Sequence, residues 1–178
     1  MEDPAEEGDI PHCTLKMFPE ETLHCVEWAR DKFGKIFSQK PKALKKCLEI
    51  IEAGTEIAHS DLKALKDAVS LIRKAPKDFD DCISYARKKF QKFFHNDIRQ
   101  LMYVYPEDHM DKDGNPFWRL PKRPPTHLEY DPKTELHRDF IIAFACLRAK
   151  IFGIPLPKNI REDKEMKEEV SGKATVFK

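Results

Sequence analysis

Cys13 is the residue of this sequence whose type and setting best suit covalent chemistry. It lies between Pro11 and Pro19, and the residue that precedes a proline disfavours the helical conformation. We therefore expect the thiol on a short extended segment, directly before a helix that begins near Pro19. Connecting segments on a rigid scaffold often carry reactive groups, and a thiolate is a nucleophile that forms covalent intermediates. The alternative, on the local sequence alone, is a buried structural cysteine.

Two neighbours of Cys13 can assist such a nucleophile. A free thiol has a pKa near 8.5, so only a small fraction is ionised at neutral pH. Lys16 adds a positive charge three residues on, and the following helix presents the positive end of its dipole. The hydroxyl of Thr14 can orient an incoming acyl group. His12 is not expected to be the base, because neighbours in an extended chain point to opposite sides.

A zinc site is the competing interpretation of the same histidines and cysteines. His12–Cys13 and His24–Cys25 form two pairs, whereas zinc sites usually use ligands two to four residues apart. Adjacent residues on a helix diverge by about 100°, so His24 and Cys25 would chelate one ion poorly. We predict no metal ligands in this chain.

Composition limits the classes of partner and compartment. The net charge is +1 with 35% charged residues, so no nucleic-acid partner is expected. The five cysteines show no closely spaced framework, and no signal peptide is recognisable, which favours a reducing intracellular compartment. The apolar run after residue 139 is interrupted by Arg148 and Lys150, so no membrane span is predicted.

Hydrophobic periodicity predicts an all-α fold of two packed helical lobes. The expected starts are Pro19, Pro41, Ser60, Asp78, Asn96 and Thr134, which act as first-turn prolines or N-caps. The predicted helices cover 19–38, 41–53, 60–74, 79–95, 97–105 and 135–152, with a charged helix near 161–171.

Apolar stripes predict which side of each helix is buried. The first stripe comprises Leu23, Val26, Ala29, Phe33 and Phe37; the second Leu44, Cys47, Leu48 and Ile51; the third Leu62, Leu65, Val69 and Ile72. The helix at 135–152 is apolar on more than one face, so it should be the most buried. On the helix at 79–95, Arg87, Lys88, Lys89 and Lys92 are expected to form a solvated face rather than a nucleic-acid surface.

The helices are interrupted by a long proline-rich connection, residues 106–133. Asp113-Gly114-Asn115 predicts a turn there, and prolines exclude regular helix. Phe117, Trp118, Leu120, Leu128 and Tyr130 predict that the connection is ordered and partly buried. The domain prediction is an acidic disordered leader at 1–9, a helical domain at 10–157 and a charged C-terminal segment at 158–178, partly helical or mobile.

Three blocks of this sequence resemble the catalytic-cysteine segment of ubiquitin-activating enzymes. The first is Cys13-Thr14-Leu15-Lys16 with Phe18-Pro19, His24 and Trp28-Ala29-Arg30. The second combines Ile98-Arg99-Gln100-Leu101 with Pro116-Phe117-Trp118 and Pro121-Lys122-Arg123. The third begins at Leu136-His137 and runs to Gly153-Ile154. The order and spacing of the blocks match that family across about residues 10–157, with Cys25 in place of the family's threonine.

The resemblance implies a role as the second catalytic-cysteine half-domain of a longer enzyme. Cys13 would be the nucleophile that takes ubiquitin from its adenylate, with Thr14 and Lys16 auxiliary and His24 structural. ATP and Mg²⁺ would act in adenylation domains of the same full-length chain, because this sequence holds no glycine-rich nucleotide loop. Ubiquitin and ubiquitin-conjugating enzymes are the implied partners, in cytoplasm and nucleus. A related ubiquitin-like modifier, or a non-catalytic helical interaction module, is the alternative.

Overall fold

The structure is a computed structural model that describes residues 21–56, 58–158, 160 and 164–176. The described part is helical and contains no strand, which confirms the all-α prediction. No described helix has the length and apolar character needed to cross a membrane. The α-helices are α1 (Thr22–Phe33), α2 (Lys40–Glu52), α3 (Leu62–Ile72), α4 (Phe79–Phe90), α5 (Asp97–Val104), α6 (Glu135–Ile151) and α7 (Lys164–Val176).

Pro41 does not begin a new helix, contrary to the sequence prediction. A π-helical segment, Gly34–Gln39, joins α1 to α2 without a break. The ring of a proline inside an α-helix clashes with the carbonyl four residues earlier and removes one N–H donor. The wider π turn directly before Pro41 accommodates both effects, so the chain remains helical from Thr22 to Glu52.

Asn96 is likewise inside a continuous helix and does not cap one. Its backbone angles are helical, with φ −68° and ψ −45°. A second π segment, Gln91–Asn96, joins α4 to α5. The prediction of a helix boundary rested on the frequent use of asparagine as an N-cap. It was wrong, because the π turn continues the helix through Asn96 into α5.

The other predicted caps have different outcomes. The Asp78 carboxylate accepts a hydrogen bond from the Asp81 amide at 2.9 Å, which confirms it as the N-cap of α4. Ser60 is not a cap, because it lies within a 3₁₀ turn, His59–Asp61, that leads into α3. Thr134 does occupy the N-cap position of α6, but its hydroxyl donates to Asp131 rather than accepting from the helix.

The helices form two lobes that share the long α1–α2 helix. In the first lobe α2 packs against α3, and in the second α4 packs against α6 while α7 contacts both. The main core lies in the second lobe, where Ile83, Phe90, Ile141 and Cys146 are almost fully buried. The helix α6 supplies more buried residues than any other described helix, as predicted.

Several residues of the predicted apolar stripes are exposed instead of buried. On α1, Leu23, Val26 and Phe33 are about half exposed, at 49%, 57% and 51%. On α2 and α3, the exposed residues of the predicted stripes are Leu48, Ile51, Leu62, Val69 and Ile72. The residues that α1 and its π segment turn toward the core are Trp28, Ile36 and Phe37. The predicted burial of the stripes was therefore wrong at these exposed positions.

The proline-rich connection is ordered by its own aromatic contacts. Tyr105 and Phe117 stack with their ring centroids 4.7 Å apart, and the Trp118 indole N–H donates to the Tyr105 carbonyl at 3.0 Å. Gly114 adopts φ +77° in the predicted turn, a conformation that glycine accepts without strain. Leu120 is 76% exposed, and Leu128 is also exposed, so their predicted burial was wrong.

Candidate active site and its surroundings

The predicted nucleophile and its helpers lie outside the described residues. His12, Cys13, Thr14 and Lys16 all precede Glu21, where the description of the chain begins. Their roles therefore stay predictions. What the structure does describe is the helix that follows this segment and the surfaces close to it in sequence.

The start of α1 is held by a reciprocal contact between Glu21 and His24. The Glu21 amide donates to Nδ1 of His24 at 3.4 Å, and the His24 amide donates to the Glu21 carbonyl at 3.1 Å. His24 is buried, at 8% exposure. An imidazole whose Nδ1 accepts a hydrogen bond keeps that lone pair from a metal, which adds to the case against zinc at the His24–Cys25 pair.

Trp28 of the family-like motif anchors α1 to the second lobe. Its ring meets Phe93 edge-to-face at 5.5 Å and lies 6.4 Å from Phe94. The Lys32 ammonium sits 5.5 Å from the Trp28 ring centroid, and such contacts favour a fixed ring. Ala29 and Arg30 face solvent. The tryptophan thus determines the direction in which α1 leaves the core.

The described cysteines differ sharply in access to solvent. Cys47, Cys82 and Cys146 are buried, while Cys25 is exposed. Burial raises the pKa of the Cys82 thiol to about 11, so it stays protonated at neutral pH. The core role predicted for Cys47 is confirmed. Cys25 is exposed, because its side chain lies on the solvent side of α1.

The expected solvated basic face of α4 has a different arrangement. Arg87 is buried, its guanidinium lies 4.7 Å from the Tyr130 ring centroid, and it donates to Gln91 at 2.9 Å. Stacking on an aromatic ring and this hydrogen bond offset part of the cost of burying the guanidinium, whose Nε is buried without a hydrogen bond to any described residue. Arg87 therefore ties α4 to the proline-rich connection instead of facing solvent.

The remaining lysines of that face line an open cavity of about 440 Å³. Its cationic lining residues are Lys74, Lys88, Lys89, Lys92 and Arg148, with Asp81 as the one carboxylate among the lining residues. Arg148 is 3% exposed, stacks 3.7 Å from the Tyr85 ring centroid and donates to the Lys74 carbonyl. Burial, together with the neighbouring cations, lowers the pKa of Lys89. The cavity is thus a local concentration of positive charge on a chain that is nearly neutral overall.

Comparison with known protein families shows which family this chain belongs to. The family described as "Ubiquitin-activating enzyme, SCCH domain" matches residues 19–177. This chain belongs to that family. The match begins six residues after Cys13, so it covers the helical scaffold of the domain.

Curated ubiquitin-activating enzymes show the same relationship. The chain is 39% identical over 162 residues to the ubiquitin-like modifier-activating enzyme 1 of Dictyostelium discoideum, covering 89% of this chain and 16% of the relative. It is 38% identical over 159 residues to the human ubiquitin-like modifier-activating enzyme 6, covering 86% and 15%. It is 34% identical over 176 residues to the ubiquitin-activating enzyme E1 1 of Arabidopsis thaliana, covering 94% and 16%.

The chain spans about a sixth of the length of the relatives that it matches. It therefore corresponds to a catalytic-cysteine half-domain of the ubiquitin-activating enzymes, as the sequence motifs predicted. The sequence analysis did not predict the cationic cavity, because its cations come from separate parts of the chain. Lys74 lies in the turn after α3 and Arg148 on α6, whereas Lys88 and Lys89 lie on α4 and Lys92 on the π segment that follows it.

Proposed function

We propose that this SCCH domain carries the thiol on which a ubiquitin-activating enzyme holds ubiquitin as a thioester. The observation that supports the proposal is the family match over residues 19–177, together with the cysteine motif that precedes it at Cys13. The described cysteines offer no better candidate in the core, since Cys47, Cys82 and Cys146 are buried.

The reaction at Cys13 is a substitution at an activated carbonyl. The thiolate sulfur attacks the carbonyl carbon of the ubiquitin C-terminal adenylate, the new S–C bond forms, and the C–O bond to phosphate breaks. AMP leaves with that electron pair, and the thiol proton passes to solvent. Because AMP is a good leaving group, the step requires little acid–base assistance, and the main requirement is an accessible thiolate.

Lys16 and Thr14 have auxiliary roles in this proposal. A lysine close to the thiol stabilises the thiolate electrostatically. A hydroxyl beside it can hold the ubiquitin carbonyl while the sulfur attacks. The second thiol, Cys25, lies exposed on α1 but takes no part in the transfer.

The adenylate itself must come from another part of the full-length enzyme. We expect adenylation domains of the same chain to bind ATP and Mg²⁺, and a conjugating-enzyme cysteine to take ubiquitin from Cys13 by thioester exchange. We expect the enzyme in the cytoplasm and the nucleus. Ubiquitin is the proposed modifier, and a ubiquitin-like modifier is the alternative.

Substitution of Cys13 in the full-length enzyme tests the proposal. With ATP, Mg²⁺ and labelled ubiquitin, the wild-type enzyme should form an adduct that a reducing agent removes. Cys13→Ala should abolish that adduct and leave ATP–pyrophosphate exchange intact, because adenylation occurs elsewhere. Cys13→Ser should give an adduct that survives the reducing agent, since an oxygen ester replaces the thioester.

Cys25→Ser is the matched control, and it should charge ubiquitin at the wild-type rate. A thiol-sensitive adduct on Cys13→Ala, or its loss on Cys25→Ser, would contradict the assignment of the nucleophile. Full charging by both variants would favour the non-catalytic interaction module instead.

A further inference from the structure

The π segment between α4 and α5 places a buried histidine against the proline-rich connection. His95 is 7% exposed, and it lies in the segment Gln91–Asn96. An extra residue in a helical turn changes the direction of the side chains that follow it, and π segments occur frequently at functional sites. The imidazole points from the helix toward residues 127–129.

A backbone hydrogen bond aligns those residues with the helix. The Leu128 amide donates to the Phe94 carbonyl at 2.8 Å. In an extended segment, residues on either side of a central one point the same way. His127 and Glu129 therefore both approach His95. The hydrogen bond of Leu128, which lies between them in sequence, fixes the connection against the helix.

The three side chains converge on one point. Nδ1 of His95 lies 3.2 Å from a carboxylate oxygen of Glu129, and the rings of His95 and His127 have centroids 4.8 Å apart. One ligand atom from each residue lies within 4.8 Å of the other two. Among the described residues, no other group of three such side chains meets this criterion.

Two imidazoles and one carboxylate form a well-known zinc donor set. Zinc binds nitrogen and oxygen at about 2.0–2.2 Å with tetrahedral geometry, so its ligand atoms stand roughly 3.3 Å apart. The 3.2 Å between Nδ1 of His95 and the Glu129 carboxylate matches that distance. Nδ1 also lies 3.2 Å from the Leu128 carbonyl oxygen, so an ion bound at Nδ1 displaces the proton of that contact. His127 and Glu129 are exposed, so their side chains can rotate to close the remaining gap without disturbing the core.

We propose that His95, His127 and Glu129 bind a divalent late transition-metal ion, and Zn²⁺ is the ion with which the site is to be tested. Water would complete the tetrahedron. The ion would link the π segment between α4 and α5 to the proline-rich connection, and this site is separate from the His12–Cys13 and His24–Cys25 pairs considered above. The prediction of no metal ligands did not consider it, because the three residues are 32 and 34 positions apart in sequence.

Metal titration of the whole 178-residue chain tests the site. After removal of metal with a chelator, calorimetry with Zn²⁺ should give saturable binding of one ion per chain. Co²⁺ should give the visible absorption of a tetrahedral nitrogen–oxygen site. His127→Ala and Glu129→Gln should each weaken Zn²⁺ binding at least tenfold, while circular dichroism stays unchanged because both side chains are exposed.

Two controls separate this site from others. His59→Ala removes an exposed histidine on the 3₁₀ turn and should leave the affinity unchanged. Cys13→Ser removes the thiol and should also leave it unchanged. Three results would each overturn the proposal: Zn²⁺ binding that does not saturate, an affinity for Zn²⁺ in His127→Ala or Glu129→Gln equal to that of the wild type, or an intense sulfur-to-cobalt absorption band.

Discussion

At the scale of the residue, burial separates the described thiols into two chemical classes. Cys82 is fully buried with a pKa raised to about 11, and Cys47 and Cys146 are also enclosed. Cys25 is exposed. Because only a thiolate that reagents can reach is reactive, the position of a cysteine on its helix decides its chemistry more than its neighbours in sequence.

Thiol labelling should show this difference directly. In the folded chain, an aromatic disulfide reagent at neutral pH should modify Cys25 quickly, and Cys47, Cys82 and Cys146 only after denaturation. Cys25→Ser should remove one rapidly reacting thiol, and Cys47→Ser should remove none. Fast labelling of Cys82 in the native chain would show that the core of the second lobe is open.

The carboxylate of Asp131 provides a pH-sensitive contact at the start of α6. It accepts hydrogen bonds from the Lys133 amide at 2.9 Å and from the Thr134 hydroxyl at 3.0 Å. These bonds lower the pKa of Asp131, the Lys133 amide most. A lowered folded-state pKa stabilises the fold above the unfolded-state pKa, about 3.9, and that stabilisation disappears as the pH falls through the folded-state value.

Asp131→Asn should therefore lower the free energy of unfolding near neutral pH, and the difference from wild type should shrink below about pH 3.9. Urea unfolding at both pH values measures this. Asp139→Asn, which changes an exposed carboxylate on α6, is the control and should have less effect at neutral pH. A difference for Asp131→Asn that grows on acidification would contradict the argument.

At the scale of the element, the sequence predicts the positions of the helices better than their continuity or orientation. All seven described α-helices overlap a predicted helix, and the non-helical connection lies where its prolines predicted it. The two π segments were not predicted, because they depend on packing and not on a local sequence pattern. The first directly precedes Pro41 and accommodates it, and the second contains His95 and sets its position. On α1, the stripe residues Leu23, Val26 and Phe33 precede the first π segment and are about half exposed, whereas Ile36 and Phe37 within that segment pack against the core.

Two phenylalanines provide a test of which faces are buried. Phe90 on α4 is 2% exposed and touches several aromatic rings, including Phe140 at 5.7 Å. Phe90→Ala should lower the free energy of unfolding by about 3–5 kcal/mol, the usual cost of such a cavity. Phe33→Ala on α1 should cost less than about 1 kcal/mol, because that ring is half exposed. Denaturant unfolding measures both, and equal losses would mean that the α1 stripe is buried.

At the scale of the whole molecule, the family could be recognised from sequence, whereas the site could be recognised only in part. Cys13 and the three motif blocks identify the ubiquitin-activating enzymes because their spacing is preserved through the chain. The triad of His95, His127 and Glu129 could not be predicted from spacing, because the π turn and the Leu128–Phe94 hydrogen bond bring it together. Long-range proximity of this kind depends on packing rather than on local pattern.

Mapping the adduct by mass spectrometry tests the central claim most directly. The full-length enzyme is charged with ubiquitin, ATP and Mg²⁺, digested at acidic pH without a reducing agent, and its modified peptide is sequenced. We predict the C-terminal remnant of ubiquitin on the sulfur of Cys13, and its absence when ATP is omitted. A remnant on Cys25 or on a cysteine outside this domain, with Cys13 unmodified, would contradict the account.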